Sequence, residues 1–203
     1  MRFLPKFLFS AAIAFGAWMY VSGRPIHHPP GVLVKDAPVQ KDIPAKSLGA
    51  VEGWHITSAA EYHLRGRVLG TKRYRSGPQA DLVPVDVAVG WGRMSDQSVI
   101  DGLGISMSNR FYFYEWQDVP PIPQEEIQVS SANNHVIAAN DDVRKVISGL
   151  RVGQIVTMNG FLVKANGPEG RTWNSSLTRQ DTGNGACELF YVESASAVNS
   201  LAE

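Results

Sequence analysis

The stretch that decides the fold is residues 140–165, NDDVRKVISGLRVGQIVTMNGFLVKA. Asn140 is a typical N-cap, and two aspartates follow it in the first turn, where the helix dipole favours acids. Apolar residues then recur with helical spacing at Val143, Val146, Ile147 and Leu150. The sequence therefore predicts one amphipathic helix that leads directly into the β-rich residues 153–165.

Alternating patterns on both sides of this helix predict β-strands. In residues 61–70, EYHLRGRVLG, one face carries Tyr62, Leu64, Gly66 and Val68, and the other carries His63, Arg65 and Arg67. Residues 82–92 contain four alternating valines, and residues 104–116, GISMSNRFYFYEW, form a further β-rich run. In residues 153–165, the pair Asn159-Gly160 predicts either a two-residue hairpin turn or a glycine bulge in one long, bent strand.

We therefore expect a mainly β fold, either a small OB-like barrel or a curved antiparallel sheet with one helix. A helix between the third and fourth strands is the feature that resembles the oligomer-binding (OB) barrel. The predicted β-rich domain covers residues 51–195, and residues 196–203 are expected to form a flexible tail. Fold resemblance alone does not identify a ligand.

The first residues, MRFLPKFLFSAAIAFGAWMYVSGRP, predict a membrane anchor. Arg2 and Lys6 precede an apolar run, and Trp18 and Tyr20 lie at its outer end, where interfacial aromatic residues are typical. We favour an uncleaved anchor over residues 1–22, with a cleaved signal as the alternative. Positive charges on the inner side place the remaining chain outside the cytoplasm, in the periplasm of a Gram-negative cell.

Residues 23–50 carry five prolines, which predicts an extended linker between anchor and domain. The formal net charge is zero, which makes nucleic acid an unlikely partner. The single cysteine excludes an intrachain disulfide and a multi-cysteine zinc site. The five histidines lack metal-ligand spacing, so we expect neither metal nor cofactor.

Three motifs carry a resemblance to a known group of proteins. These are PVDVAVGWGRMSD, SANNHVIAAN and WNSSLTRQDTGNGACELFYV, with the approach RPIHHPPGVLV before them. They resemble an uncharacterised family of bacterial membrane-anchored proteins over residues 54–192. The resemblance implies one extracytoplasmic domain, and it supplies no catalytic residues.

The segment around the single cysteine contains the candidates for catalysis. Cys187 paired with His135, and oriented by Asn140 or Asp181, would make a thiol hydrolase. A second hydrolase site would use Ser175, Arg179 and Asp181. Alternation in residues 186–192 instead favours an inert cysteine in a central strand, and the polar residues favour a hairpin pinned by its own side chains. Five scattered carboxylates are further acid or base candidates: Asp86, Asp96, Asp101, Asp181 and Glu188.

Binding is better supported than catalysis by these patterns. Arg110, Tyr112, Tyr114 and Trp116 fall on one predicted strand face, which predicts a stacking platform for bases or sugar rings. The alternative is that this aromatic face is covered by the protein itself. We expect a membrane-anchored binding or scaffold domain, with another envelope protein as a candidate partner. A hydrolase and an OB-type binder of glycan or single-stranded nucleic acid are the two alternatives.

Overall fold

The computed structural model describes residues 23–77, 79–178, 181, 183 and 185–200. The protein is mainly β, as the sequence predicts, and its largest sheet is curled. The expected anchor over residues 1–22 lies outside the described residues. Within the described ranges, no helix combines the length and apolar character needed to cross a membrane.

Ten strands and three α-helices are present in the described ranges. The strands are β1 (Val39–Asp42), β2 (Ser47–Val51), β3 (Trp54–Arg73), β4 (Val85–Gly90), β5 (Gly104–Ser108), β6 (Phe111–Glu115), β7 (Ser131–Ala138), β8 (Ile155–Asn166), β9 (Thr172–Asn174) and β10 (Glu188–Val198). The helices are α1 (Gln97–Ile100), α2 (Gln124–Val129) and α3 (Asp141–Gly149). Short 3₁₀ helices cover Gly92–Ser95 and Pro168–Gly170.

Five strands pair in a ring. β3 pairs with β4, β4 with β7, β7 with β10, β10 with β8, and β8 returns to β3. Every pair is antiparallel except β7–β10. The long β3 pairs with β8 through its first part and with β4 through its last part, because it bends around the sheet.

The main core lies inside this ring, and α3 covers one end of it. Val143, Ile147 and Leu150 join the same apolar cluster as Leu64, Val87 and other strand residues. The Asn140 side chain caps the helix by accepting a hydrogen bond from Val143 N at 3.0 Å. The predicted helix and its cap are therefore confirmed.

β8 is one long strand, so Asn159-Gly160 is not a hairpin turn. Opposite Gly160, the register of β10 shifts between Val192 and Ser194. A Cβ on Gly160 would lie 2.1 Å from the Tyr191 carbonyl oxygen, so the close approach requires glycine. Beyond the shift, β10 continues to Val198, into the stretch expected as a flexible tail.

The proline-rich residues 23–50 depart from the expected linker. β1 and β2 both pair with β3, and Gly92 N donates to Val34 O at 2.8 Å. The Ser95 hydroxyl accepts hydrogen bonds from Leu33 N and Val34 N. Proline excludes a helix or a central strand, but it allows short edge strands, so this stretch packs against the curled sheet.

Arg67 lies on the strand face that the alternation predicts to be exposed, yet its side chain is buried at 2% exposure. The reason is the insertion at residues 91–130 between β4 and β7, which covers the outside of the ring with an apolar cluster separate from the main core. Arg67 donates to Ser95 O and to Gln97 Oε1 within this insertion. The sequence pattern cannot reveal such a cover, because alternation describes only one side of the strand.

Candidate functional site

A cleft of about 210 Å³ opens where β4 and β7 meet the loops of the curled sheet, and we call it the Arg110 cleft. It is lined by residues from the β3–β4 loop, the tip of the β5–β6 hairpin, β7 and the β8–β10 segment. These residues are Gln79, Arg110, Phe111, His135, Trp173, Asn174, Gly185 and Cys187. Separate parts of the chain therefore converge on one opening.

Asp86 is the centre of the charged group beneath the cleft. It stands opposite His135 in the β4–β7 register and is fully buried. Its Oδ1 lies 2.8 Å from Arg110 Nη1 and 2.9 Å from His135 Nδ1. Arg110 and Asp86 therefore form an ion pair. Within the described part of the chain, no three His, Cys, Asp or Glu side chains lie close enough together to hold a metal.

Arg110 occupies an unusual backbone position. It and Asn109 form the two-residue turn between β5 and β6, with φ of 70° and 50°. Two positive φ values define the hairpin turn that normally takes Asn-Gly, so an arginine here is strained. Its guanidinium is held by Asp86, by Val83 O at 2.9 Å, and by the Tyr74 ring, whose centroid is 3.7 Å away. These contacts fix the strained turn and the side chain together.

The aromatic wall of the cleft is Trp173. Its ring centroid lies 4.7 Å from that of His135 and 5.7 Å from Arg110 Cζ. His135 Nδ1 lies within hydrogen-bond distance of Asp86 Oδ1, and in the tautomer that donates Nδ1–H to Asp86 the other ring nitrogen, Nε2, is a hydrogen-bond acceptor. Burial is the main cause that raises the pKa of the Tyr74 hydroxyl, and the Asp86 carboxylate raises that pKa further.

Cys187 borders the cleft but is not arranged as a nucleophile. It is half-buried just before β10, with Sγ 3.7 Å from Asn133 Nδ2 and 3.9 Å from Arg110 O. Burial raises the pKa of the thiol to about 11, against a smaller lowering by Asn133. No hydrogen bond joins Cys187 to His135 among the described residues. The orienting group of His135 is Asp86, rather than Asn140 or Asp181 as expected for the thiol hydrolase.

The serines of this segment hold the loop in place. Ser175 Oγ accepts from Leu189 N at 3.0 Å and donates to Ser176 O. Ser176 Oγ donates to Asp181 Oδ2 at 2.7 Å and accepts from Thr178 N at 3.1 Å. The loop is therefore pinned by its own polar groups, as expected. It is not the turn of a hairpin, because β9 and β10 each pair with β8 rather than with each other. Arg179, the remaining member of the proposed serine site, lies outside the described residues.

The expected stacking platform faces the protein. Tyr112, Tyr114 and Trp116 are partly buried, and they pack against the apolar cluster that includes Met94 and Ile127. Burial strongly raises the pKa of Tyr112. Arg110 does not share their face, because residues 104–116 form a hairpin and Arg110 lies in its turn. The exposed aromatic face is the opposite one, with Phe111 and Phe113 at 36% and 47% exposure.

Sequence reasoning missed the grouping of Asp86, His135 and Trp173. In the sequence, Asp86 was one of five scattered carboxylates, but its position distinguished it. Asp86 interrupts a valine-rich strand, and a carboxylate in a strand that is buried on both faces needs a partner. Trp173 carried no comparable signal, because a single aromatic residue in a loop predicts no particular neighbour.

Comparison with known proteins assigns the chain to no family. No protein-family model matches the chain, and no curated protein or solved structure is significantly similar to it. Any function assigned to the chain must therefore be argued from the strands, the cleft and the contacts described above.

Proposed function

We propose that this protein is a non-enzymatic binding protein with an OB-type barrel whose ligand, a saccharide, occupies the Arg110 cleft. Three features support the OB assignment: the ring order β3-β4-β7-β10-β8, the parallel β7–β10 pair, and α3 between the third and fourth ring strands. OB barrels bind their ligands on the face of the second and third strands, beside the loops after the first and fourth strands.

The observation that carries the proposal is the position of the Arg110 cleft on that face. Asp86 and His135 come from the second and third ring strands. Gln79 comes from the loop after the first ring strand, and Trp173 and Asn174 come from the segment after the fourth. A pocket with an aromatic wall and a few fixed polar groups is the usual form of a small-ligand site.

The charge of the cleft favours a saccharide over single-stranded nucleic acid. Asp86 neutralises Arg110, so the arginine is not free to neutralise phosphate. The remaining polar groups are the amides of Gln79 and Asn174 and the imidazole of His135. Amides and imidazole exchange hydrogen bonds with hydroxyl groups, and the flat apolar face of a sugar ring packs on an aromatic ring such as Trp173.

The test measures binding of the full-length chain to neutral oligosaccharides and to single-stranded DNA and RNA 12-mers by calorimetry. We expect at least one oligosaccharide to bind, and we expect Trp173→Ala and Asn174→Ala each to weaken that binding about tenfold or more. Leu177→Ala is the matched control, because this exposed side chain does not line the cleft. Binding only of the nucleic acids would overturn the ligand class. If neither cleft variant weakened oligosaccharide binding, the ligand would not occupy the Arg110 cleft.

We also propose that residues 1–22 anchor the chain in the cytoplasmic membrane, with the barrel on the outer side. The charged residues before an apolar run and the aromatic residues after it support this orientation. Carbonate extraction of membranes from cells expressing the full chain should leave the protein in the pellet, and protease added to spheroplasts should digest the barrel. Release of the protein by carbonate would contradict the anchor. Protection of the barrel from protease would contradict the proposed orientation.

A further inference from the structure

A second opening lies beside the Arg110 cleft, and we call it the edge groove. It has a volume of about 300 Å³. One wall is β6 from Phe111 to Tyr114, and the opposite wall is the start of β7, Ser131 to Asn133. The groove closes where Asn133 Nδ2 donates to Arg110 O at 2.9 Å. It is therefore a slot between two strands that approach each other without pairing.

The turn of the β5–β6 hairpin determines which backbone groups of β6 face the groove. In a two-residue hairpin the residues flanking the turn, here Ser108 and Phe111, exchange hydrogen bonds, and every second pair does so after them. Tyr112 and Tyr114 belong to the pairs in between, which do not exchange hydrogen bonds with β5. Their N–H and C=O groups consequently point away from β5, and among the described residues no strand pairs with that edge.

The β7 wall is also an open edge. Residues 131–133 pair with β4 on one side. On the other side β7 pairs with β10, but that pairing begins only at Asn134, opposite Glu188. In the described part of the chain, the first three residues of β7 thus have a strand neighbour on one side only. Open edges are sites at which further strands add.

The side chains around the slot define the character of an occupant. Phe111 and Phe113 stand exposed beside it, and Ala132 and Ala186 contribute further apolar surface. Asp181 is the only charged residue among the described residues that line the groove. The surroundings therefore complement an apolar segment that carries a positive charge near Asp181.

We propose that the edge groove binds an extended, partly apolar and cationic peptide segment of a partner protein, which adds as a strand to the free edge of β6. Main-chain hydrogen bonds to Tyr112 and Tyr114 supply the affinity common to such complexes, and alternate side chains contact Phe111 and Phe113. The two openings share Phe111 and Cys187 in their walls, but the peptide site uses the backbone of β6 and requires neither Trp173 nor Asn174.

The test selects heptapeptides from a random phage-displayed library on the immobilised full-length protein and measures the synthetic peptides by fluorescence anisotropy. Selected sequences should alternate apolar residues and carry Lys or Arg. Exchange of that cation for Glu should weaken binding about tenfold. Methylation of alternate peptide nitrogens, which removes the donors to β6, should abolish it.

Two variants of one residue separate backbone from side chain. Tyr114→Pro removes the outward N–H and the ring, whereas Tyr114→Ala removes the ring alone, and proline is tolerated on the outer side of an edge strand. We expect the proline variant to bind at least about tenfold more weakly than the alanine variant. Failure to select any peptide, equal binding by both variants, or loss of peptide binding in Trp173→Ala would overturn the proposal.

Discussion

Two arginines, one buried and one partly exposed, differ in what surrounds the guanidinium. Arg67 is 2% exposed and donates to neutral acceptors, Ser95 O at 3.2 Å and Gln97 Oε1. Arg110 keeps 18% of its side chain exposed and is paired with the fully buried carboxylate of Asp86. The first guanidinium is enclosed by the insertion, and the second lies in the wall of an open cleft.

This difference separates a structural arginine from a site arginine. Burial lowers the pKa of Arg67, and the negative charges of Asp101 and Asp96 act against that lowering. Arg67 thereby ties the 3₁₀ helix and α1 to β3, and Gln97 Oε1 also accepts a hydrogen bond from His28 N at 3.0 Å. Arg110 instead ties the hairpin tip to the strands beneath the cleft, so its loss should affect both stability and binding.

The largest expected effect is on the Arg110 pair. Arg110→Met removes the positive charge beside the Asp86 carboxylate, which stays buried next to His135. Breaking a buried ion pair from one side costs about 3–5 kcal/mol of unfolding free energy. Urea unfolding followed by circular dichroism measures this loss.

A double-mutant cycle shows whether that loss comes from the pair. Asp86→Asn removes the carboxylate charge, so the combined variant Arg110→Met/Asp86→Asn should unfold at higher urea than Arg110→Met alone. If the arginine variant loses the same free energy in both backgrounds, the two residues are not coupled and the description of Asp86 as the centre of the site fails.

A smaller effect is expected at Arg67. Arg67→Met keeps similar volume but leaves Ser95 O without this donor, and an unsatisfied buried acceptor costs about 1–3 kcal/mol. Removal of a buried charge offsets part of that cost. Saccharide affinity of the folded variant should equal that of the wild type, as measured by calorimetry. A weakened affinity would mean that the two arginine sites are coupled.

The next prediction concerns the residues that the Arg67 region holds in place. Ser95→Ala deprives Leu33 N and Val34 N of their shared acceptor, and we expect a loss of about 1–2 kcal/mol by urea unfolding. Ser76→Ala, at an exposed loop position, is the control and should change stability little. If Ser95→Ala were equally neutral, residues 23–50 would behave as the linker that their prolines predict.

Much of the fold was predictable because its signals are local. The cap at Asn140, the stripe from Val143 to Leu150 and the alternation around Leu64 each specify an element without reference to distant residues. The long bent β8 was one of two stated alternatives. Its outcome depends on the close approach of Gly160 to Tyr191, which involves another strand.

The candidate site was harder to predict because its contacts join distant parts of the chain. Asp86 and Arg110 are separated by 24 positions, and Asp86 and His135 by 49. One error over residues 110–116 was to extend the second strand back to Arg110, since Asn109-Arg110 lacks the glycine that marks most hairpin turns. That error placed Arg110 beside Tyr112 and hid its position in the cleft.

The last prediction leaves stability unchanged and tests the cleft chemically. Cys187 is the only cysteine, so iodoacetamide labelling reports on it alone. The ordinary pKa of 9.0 is raised by burial to about 11, so at pH 8 the folded protein should hold about 100-fold less thiolate than the urea-unfolded chain. Labelling should be slower by a similar factor and should accelerate as the pH rises toward 11.

The two outcomes of this labelling separate binding from catalysis. Slow labelling of the folded protein identifies Cys187 as an uncharged part of the cleft wall, consistent with a saccharide site. Rapid labelling at neutral pH would require a lowered pKa of the thiol, for which His135 is the candidate base on the cleft wall. In that case Asp86 would orient His135 for a thiolate, and the Arg110 cleft would have to be reconsidered as the site of a cysteine hydrolase.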